Sequence, residues 1–369
     1  WDAFAAHAYW TREFIGLGPF RLERWEPGSS IEGVAFDAHV WGRPKIDRLR
    51  IAFIPDANAA LANLLSGAIH LAGDNALGFQ QGIIAKREWA ATNGGTLLVA
   101  PDLYRAAYAQ LNPDLGGPRG IRDARVRRAL AHATDKSALN DVLYEGEGIM
   151  TETILPPAVD YYPLVDRAIV KYPLDLQRAE QLMADAGFAR GPDGFFASLT
   201  DGRLSIELKV NASPQYENER SIMAGQWRTA GFDIQEAVLP AAQAQDGQAR
   251  ASYPGYYSFS TGLGENALRN FTTASIPRPE VRWSGNNRGS WSNTEYDRML
   301  DRFNATLDRD QRIQQIVEMT RLLSEELPAI SLYYDLGAVA HVSALKGPGA
   351  IGPDTSGGMT WNVHEWELQ

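Results

Sequence analysis

The stretch from Ile121 to Lys136, IRDARVRRALAHATDK, contains the strongest local pattern in the chain. Asp123 can accept hydrogen bonds from the free backbone N–H groups of a first helical turn. The residues after it repeat with the spacing of one apolar helix face: Val126, Ala129, Leu130 and Ala133. The arginines of the stretch lie mostly off this face and, taken alone, predict a solvated surface: Arg122, Arg125, Arg127 and Arg128.

A second short helix is predicted over residues 136–144, because Asp135 can cap it and Gly146 can end it. The residue order across both helices resembles the segment D-x-R-V-R-x-A-(L/I)-x-x-A-x-D-(K/R) of the family 5 extracellular solute-binding proteins. These proteins are the peptide- and nickel-binding receptors of ABC importers. The resemblance implies that this segment opens a large C-terminal lobe, just after the chain crosses a hinge.

The same resemblance extends from Gly16 to Trp366, with further motifs in the family's order. A hairpin is predicted around Pro27-Gly28, followed by a β-α-β unit over residues 46–72 whose helix begins at Asp56. Further helices are predicted at residues 80–91, 176–186 and 218–230, with two more after residue 293. Further strands are predicted at residues 96–100, 104–111, 204–210, 234–238 and 330–342, and in a tail that closes the first lobe's sheet.

These patterns and the resemblance predict an α/β fold of the type II periplasmic-binding-protein kind, with two lobes joined by hinge strands. Lobe I is expected to comprise residues 1–109 with a C-terminal return at residues 343–369, and lobe II residues 110–342. The family also carries a longer N-terminal portion with a small extra domain, which we expect this chain to lack. The expected location is periplasmic or extracellular, with lipid anchoring through that missing N-terminal portion.

Composition excludes several classes of function. The 369-residue chain is 44% hydrophobic and 22% charged, as in ordinary globular proteins, and its net charge is −10. An acidic chain without a basic cluster argues against nucleic-acid binding, since phosphate contacts need concentrated Lys and Arg. No apolar run approaches the roughly 20 residues of a transmembrane helix. The absence of cysteine excludes disulfides and thiolate chemistry.

Catalytic signals are weak. The histidines are scattered, and no pair has the helical spacing of metal ligands, so neither a metal nor a cofactor is expected. No nucleophile elbow, zinc-protease or phosphate-loop motif occurs. The sequence therefore predicts a protein that is not an enzyme. The alternative is a hydrolase of peptides or glycans with an acidic pair in the cleft, which rests only on abundant aromatic and acidic residues.

Residues 239–290 are rich in Gly, Ser, Asn and aromatic residues and predict long, functional loops. Aromatic faces, amides and a guanidinium can hold a polar ligand, and the resemblance implies that this region lines the cleft. The predicted ligand-binding residues include one on the strand that crosses between lobes: Tyr104, Tyr256, Tyr257, Phe259, Trp283, Asn286, Asn287, Arg288 and Trp291. The two tryptophans are equally compatible with a role as core anchors of the loop.

The ligand class stays open at this point. Arg288 could pair with a carboxylate through two hydrogen bonds. The family's peptide receptors place an Asp in this loop, whereas here none occurs between Asp246 and Asp297. A peptide, a sugar or an opine-like solute is therefore expected. The predicted function is that of a monomeric receptor that binds this solute between its lobes and delivers it to an ABC permease by hinge closure.

Overall fold

The computed structural model describes residues 2–10, 13–349 and 360–369. The chain divides into two compact units. Unit 1 comprises Trp1–Ala100 and Leu336–Gln369, and unit 2 comprises Pro101–Asp335. Among the helices of the described residues, none combines the length and the apolar character that a bilayer crossing requires.

Unit 1 begins with a short helix and a hairpin and ends with two very short strands. Gly28 turns the hairpin at the predicted place, with a φ of 75° that suits glycine. The elements of this unit are α1 (Asp2–Ala5), β1 (Phe20–Glu26), β2 (Ser30–Ala35), β3 (Arg48–Ala52), α2 (Ala57–Leu65), β4 (Leu71–Leu77), α3 (Phe79–Trp89), the first part of β5 (Gly95–Ala109), the last part of β12 (Ala329–Val342), β13 (Leu345–Lys346) and β14 (Glu367–Leu368).

The predicted capped helix is confirmed, since Asp56 accepts a hydrogen bond from the backbone N of Ala59 at 2.8 Å. The predicted β-α-β unit is wrong. Strand β3 pairs antiparallel with β2, whereas β4 pairs antiparallel with β12. Four of the five β3 residues are exposed, so the strand lacks the buried apolar side chains that would place it in a core sheet.

The tail also differs from its predicted form. Strand β14 pairs antiparallel with β13 and forms a separate small ribbon, with Leu345 opposite Leu368. The alternation of Trp361, Val363 and Glu365 predicted a strand, but the backbone forms a short 3₁₀ turn at Val363–Glu365. Trp366 is buried, and its indole N–H donates to the side-chain oxygen of Asn362 at 2.9 Å, so local hydrogen bonding fixes this turn.

Unit 2 contains the larger core. Its elements, besides the remaining parts of β5 and β12, are α4 (Ala124–His132), α5 (Lys136–Tyr144), α6 (Tyr162–Ala168), α7 (Leu176–Asp185), β6 (Ala189–Arg190), β7 (Phe196–Ser198), β8 (Gly202–Arg203), β9 (Ser205–Asn211), α8 (Pro214–Thr229), β10 (Asp233–Leu239), α9 (Gly247–Ala251), β11 (Tyr256–Thr261), α10 (Thr294–Ala305) and α11 (Arg309–Glu326).

The main sheet of unit 2 has the strand order β10-β9-β11-β5-β12. Strand β9 pairs in parallel with both β10 and β11, and β11 pairs antiparallel with β5. The carboxyl ends of β9, β10 and β11 therefore lie along one edge of the sheet. Helix α8 follows β9 and begins at this same edge.

The two helices predicted from the stretch Ile121 to Lys136 are confirmed as α4 and α5, capped by Asp123 and Asp135. The arginines of this stretch are not all solvated, however. Arg127 is only 3% exposed and donates to the carbonyl oxygens of Glu326 and Leu327. Arg128 donates to Glu325 O at 2.7 Å. These two arginines bind the free carbonyls at the end of α11, a common role for cationic side chains.

Candidate functional site

Half-buried polar side chains gather at the carboxyl edge of the unit 2 sheet. Asn211 ends β9, Gln215 and Tyr216 lie in the first turn of α8, Ser260 lies near the end of β11, and Asp335 lies on β12. We call these five residues the edge cluster. In open α/β sheets, ligands bind outside the carboxyl ends of the strands. The edge cluster is therefore the candidate solute-binding surface of unit 2.

Hydroxyl groups surround the Asp335 carboxylate. Ser260 and Tyr216 donate to Oδ2, and Tyr144 donates to Oδ1 at 3.3 Å. Gln215 in turn donates to the Tyr144 oxygen at 3.0 Å. Burial raises the pKa of Asp335 above its ordinary value. A carboxylate has about four acceptor positions, so Asp335, with three hydroxyl donors, can accept a further donor from a ligand.

A buried ion pair contacts the edge cluster through Tyr216. Arg105 on β5 and Glu219 on α8 are both completely buried and form two hydrogen bonds of 2.9 Å. Ser258 and Tyr333 also donate to the Glu219 carboxylate. Burial opposes the charge of Arg105, but attraction to Glu219 raises its pKa above the ordinary value. The Arg105 guanidinium carbon lies 3.7 Å from the ring centre of Tyr216, which fixes this ring of the edge cluster.

The predicted aromatic loop is in part a strand, because Tyr256, Tyr257 and Phe259 all belong to β11. Successive strand residues point to opposite faces of a sheet. Tyr256 accordingly packs against Trp227, with ring centres 5.4 Å apart, while Phe259 stacks on Tyr108 at 4.1 Å. All three β11 side chains are at most 1% exposed. The structure therefore divides them between two faces.

Tyr104 is buried on β5 and shares a 2.6 Å hydrogen bond with the Ser331 hydroxyl. Both residues line a cavity of about 20 Å³. That volume holds roughly one water molecule. Ligand contact by Tyr104 stays a prediction.

The predicted amide and tryptophan residues of the loop differ in exposure. Asn287 and Trp291 are buried, and the Asn287 amide donates to the carbonyl oxygens of Thr272 and Trp291 at 2.8 and 2.7 Å. These hydrogen bonds join residues within the loop. The burial of Trp291 fits the alternative in which this tryptophan anchors the loop to the core. Trp283 and Asn286 are half-buried and retain accessible surface. Ligand contact by any of these residues stays a prediction.

Arg288 lies over the aromatic side chains of β11. Its guanidinium carbon is 4.2 Å from the ring centre of Phe259 and 6.0 Å from that of Tyr257. Lys209 lies 4.7 Å from the same Tyr257 ring centre. Burial lowers the pKa of Lys209 to about 8, an effect that Glu207 counteracts and Arg288 strengthens. The structure thus brings the predicted Arg288, Tyr257 and Phe259 together with a lysine that the sequence did not single out.

Tyr257 connects this region to the edge cluster, because its hydroxyl donates to the side-chain oxygen of Asn211. The prediction from sequence missed the edge cluster and its buried ion pair. One signal was present: Arg105 and Asp335 each interrupt an otherwise apolar strand sequence, YRAAYA and LYYDLG. A charge inside a buried strand needs a partner, so both could have been marked as members of a polar site. In the described part of the chain, no group of three or more acidic or histidine side chains is placed to hold a metal ion.

Known proteins share this architecture. Heme-binding protein A of Haemophilus influenzae is 24% identical over 337 residues, which cover 90% of this chain and 57% of that protein. The oligopeptide-binding protein AppA of Bacillus subtilis is also 24% identical, over 90% of this chain and 59% of its own length. The chain thus spans somewhat more than half the length of these relatives. The structure of NikZ from Campylobacter jejuni in complex with Ni(L-His) has a TM-score of 0.78 at 22% identity, over 98% of this chain and 70% of that one.

The fold matches that of this binding-protein structure, which confirms the α/β fold class predicted from sequence. The sequence profile of the bacterial extracellular solute-binding proteins, family 5 (Middle), matches residues 3–275. The chain belongs to this family.

Proposed function

We propose that this chain is the solute-binding part of an extracytoplasmic receptor of an ABC importer, and that its edge cluster contacts the solute. The observation that supports the proposal is the set of half-buried polar groups at the carboxyl edge of the sheet, in a chain of this family. The solute is a peptide or another small polar molecule, such as a sugar or an opine-like compound. The partner is a membrane permease, and the receptor works as a monomer in the periplasm or outside the cell.

The edge cluster can bind a polar solute through complementary groups. The Asp335 carboxylate accepts hydrogen bonds from ammonium, amide or hydroxyl groups, while Asn211 and Gln215 supply an amide donor and an amide acceptor each. The Tyr216 ring offers an amphipathic surface, held in place by the Arg105 guanidinium. Because the buried ion pair fixes these groups before binding, little conformational entropy is lost when the solute arrives.

The proposed function does not include catalysis. The Glu219 side chain, which lies next to this surface in the hydrogen-bond network, has no exposed area, and its carboxylate accepts hydrogen bonds from Arg105, Ser258 and Tyr333. It cannot act as the second carboxyl group of a hydrolase, since such a group must reach the substrate. The hydrolase alternative therefore has no support.

Native mass spectrometry of the purified chain tests the proposal. We expect a bound small molecule that is released intact on unfolding, and we expect peptides or oligosaccharides added to the protein to stay unchanged. Cleavage of an added compound would contradict the receptor function. So would a protein that carries no small molecule and binds none from a panel of peptides, sugars and amino-acid conjugates.

A further inference from the structure

A group of cationic side chains lies close to the edge cluster within unit 2. Lys209 comes from β9, Arg250 from α9 and Arg288 from the loop before α10. We call these three residues the cationic cluster. Lys209 is 7% and Arg288 9% exposed, and Arg250 is half-buried. Charged side chains are rarely buried in proteins unless an opposite charge pairs with them.

The cationic cluster lacks acidic partners. Within residues 2–10, 13–349 and 360–369, no carboxylate oxygen lies within 4.0 Å of its nitrogens, and Arg288 makes no side-chain hydrogen bond. The Lys209 ammonium donates only to the neutral carbonyl oxygens of Ala249 and Ser252, at 3.0 and 3.2 Å. The one acid that influences it is Glu207, which is half-buried on the same strand. Lys209 therefore has one acid, Glu207, and one further cation, Arg288, among the charged groups that shift its pKa.

Two buried hydrogen-bond donors accompany these charges. The Nε atom of Arg250 and the hydroxyl group of Tyr253 are buried, and neither has a hydrogen-bond partner in the described chain. The Tyr253 side chain is 2% exposed, and its ring centre lies 5.1 Å from the Lys209 nitrogen. Native proteins leave few buried donors unpaired, so each one needs an explanation. Here donors and positive charges occur together, which is the chemistry of a site for an anion.

We propose that the cationic cluster is an anion subsite that binds a carboxylate or phosphoryl group of the solute. The inference rests on the proposed function and narrows it to solutes with an anionic oxygen group. Guanidinium groups match the planar geometry of such oxygens and can donate two hydrogen bonds to them. The ammonium of Lys209 and the hydroxyl of Tyr253 supply further donors.

The position of Tyr257 relates this subsite to the rest of the binding surface. Its ring lies beneath Lys209 and Arg288, while its hydroxyl donates to Asn211 of the edge cluster. A solute whose anionic group lies at the cationic cluster therefore has its remaining polar groups near the edge cluster. This arrangement suits a solute with separated anionic and hydrogen-bonding ends.

Thermal unfolding of the ligand-free chain in sodium acetate, sodium phosphate and sodium chloride at equal ionic strength tests the subsite. We expect acetate or phosphate to raise the unfolding midpoint above its value in chloride. The rise should disappear in Arg250→Gln and in Arg288→Gln, with affinity for the anion at least about tenfold weaker in each. The control is Arg298→Gln, which changes an exposed arginine on α10 and should keep the full rise.

Side-chain ¹⁵N NMR measures anion binding independently of protein stability. The Nε–H signals of Arg250 and Arg288 should shift on addition of the effective anion, and the variants identify which signal belongs to which residue. Arg288→Lys keeps the charge and serves if Arg288→Gln does not fold. Equal midpoints in all three salts, or unchanged signals, would overturn the proposal. Equal anion effects in wild type and both glutamine variants would show an adventitious ion only and would overturn it as well.

The two anions distinguish the sources of the group, since acetate represents a carboxylate and phosphate a phosphoryl group. Failure of this inference is also separable from failure of the receptor function. A neutral solute that binds tightly in the absence of any anion effect would leave the receptor function standing and refute the subsite. A protein that shows the anion effect but binds no solute from the panel would support an anion site and contradict the receptor function.

Discussion

Arg105 on β5 and Glu219 on α8 form a two-fold hydrogen-bonded ion pair that is completely removed from solvent. The pair joins β5, which lies between β11 and β12 in the unit 2 sheet, to the helix that begins at the carboxyl edge of that sheet. It also orders the layer above it, since Arg105 packs on the Tyr216 ring and Tyr333 donates to Glu219. The accessible polar surface thus depends on a buried charge network.

Replacing Glu219 by Gln should destabilise the chain strongly. The change leaves Arg105 as a buried charge without a carboxylate, at a cost of about 3–5 kcal/mol in the free energy of unfolding. Urea unfolding measures this cost. Glu318→Gln on the exposed side of α11 is the matched control and should change stability by less than about 0.5 kcal/mol. Similar values for both variants would show that the buried pair does not stabilise unit 2.

Arg127 should contribute to stability through the end of α11 rather than through solvation. Arg127→Met leaves the carbonyl oxygens of Glu326 and Leu327 without their donor, which should cost on the order of 2–3 kcal/mol. Arg122→Met, in the same stretch but without such contacts in the described chain, should cost clearly less. Hydrogen exchange at the last turn of α11 should accelerate only in the first variant; equal protection in both would contradict the assignment.

The two loop tryptophans should respond differently to truncation. Trp291 is 4% exposed and packs on Tyr296, so Trp291→Ala should lower the free energy of unfolding by about 3–5 kcal/mol. Trp283 is half-buried, and Trp283→Ala should cost less than about 2 kcal/mol. Chemical unfolding of both variants separates the roles. Equal losses would mean that both tryptophans are core anchors, which would remove Trp283 from the predicted ligand contacts.

Lys209 should make stability depend on pH in an unusual window. Burial lowers its pKa in the folded state from 10.5 to about 8. Between these values the unfolded chain binds more protons than the folded chain, so stability should rise with pH, by up to about 3 kcal/mol. The free energy of unfolding should therefore rise between about pH 8 and pH 10.5, and Lys209 should add no pH dependence below pH 8. Lys209→Met should lack this rise in urea unfolding across the window, and a rise of the same size in the variant would contradict the shifted pKa.

Local patterns were enough to predict most helices and strands. Aspartate caps at Asp56, Asp123 and Asp135 begin helices where predicted, because a cap acts on the turn directly beside it. Pairing between distant strands was harder. Strand β3 joins the neighbouring hairpin and not a core sheet. Leu49 and Ile51 alternate with arginines as in a half-buried strand, but four of the five β3 residues are exposed, and local alternation does not identify the partner strand.

The candidate site was less predictable than the fold. Composition drew attention to the aromatic stretch around Tyr257, but most of those side chains are buried in the core. The accessible polar groups come from separate elements, with Asp335 and Ser260 brought together across the sheet. No spacing of neighbouring residues in the sequence predicts a contact between these two distant residues. The charged residues Arg105 and Asp335 within apolar strands were the one sequence feature that could have indicated it.

The central claim, that the edge cluster of unit 2 binds the solute, is tested most directly by calorimetric titration of the co-purified solute, once identified. The titration compares the wild-type chain, Asp335→Asn and the exposed-site control Asp301→Asn. We predict an affinity at least about tenfold weaker for Asp335→Asn, because a charged acceptor is lost. The control should match the wild type. Equal affinities for all three proteins would contradict the claim and place the binding surface elsewhere.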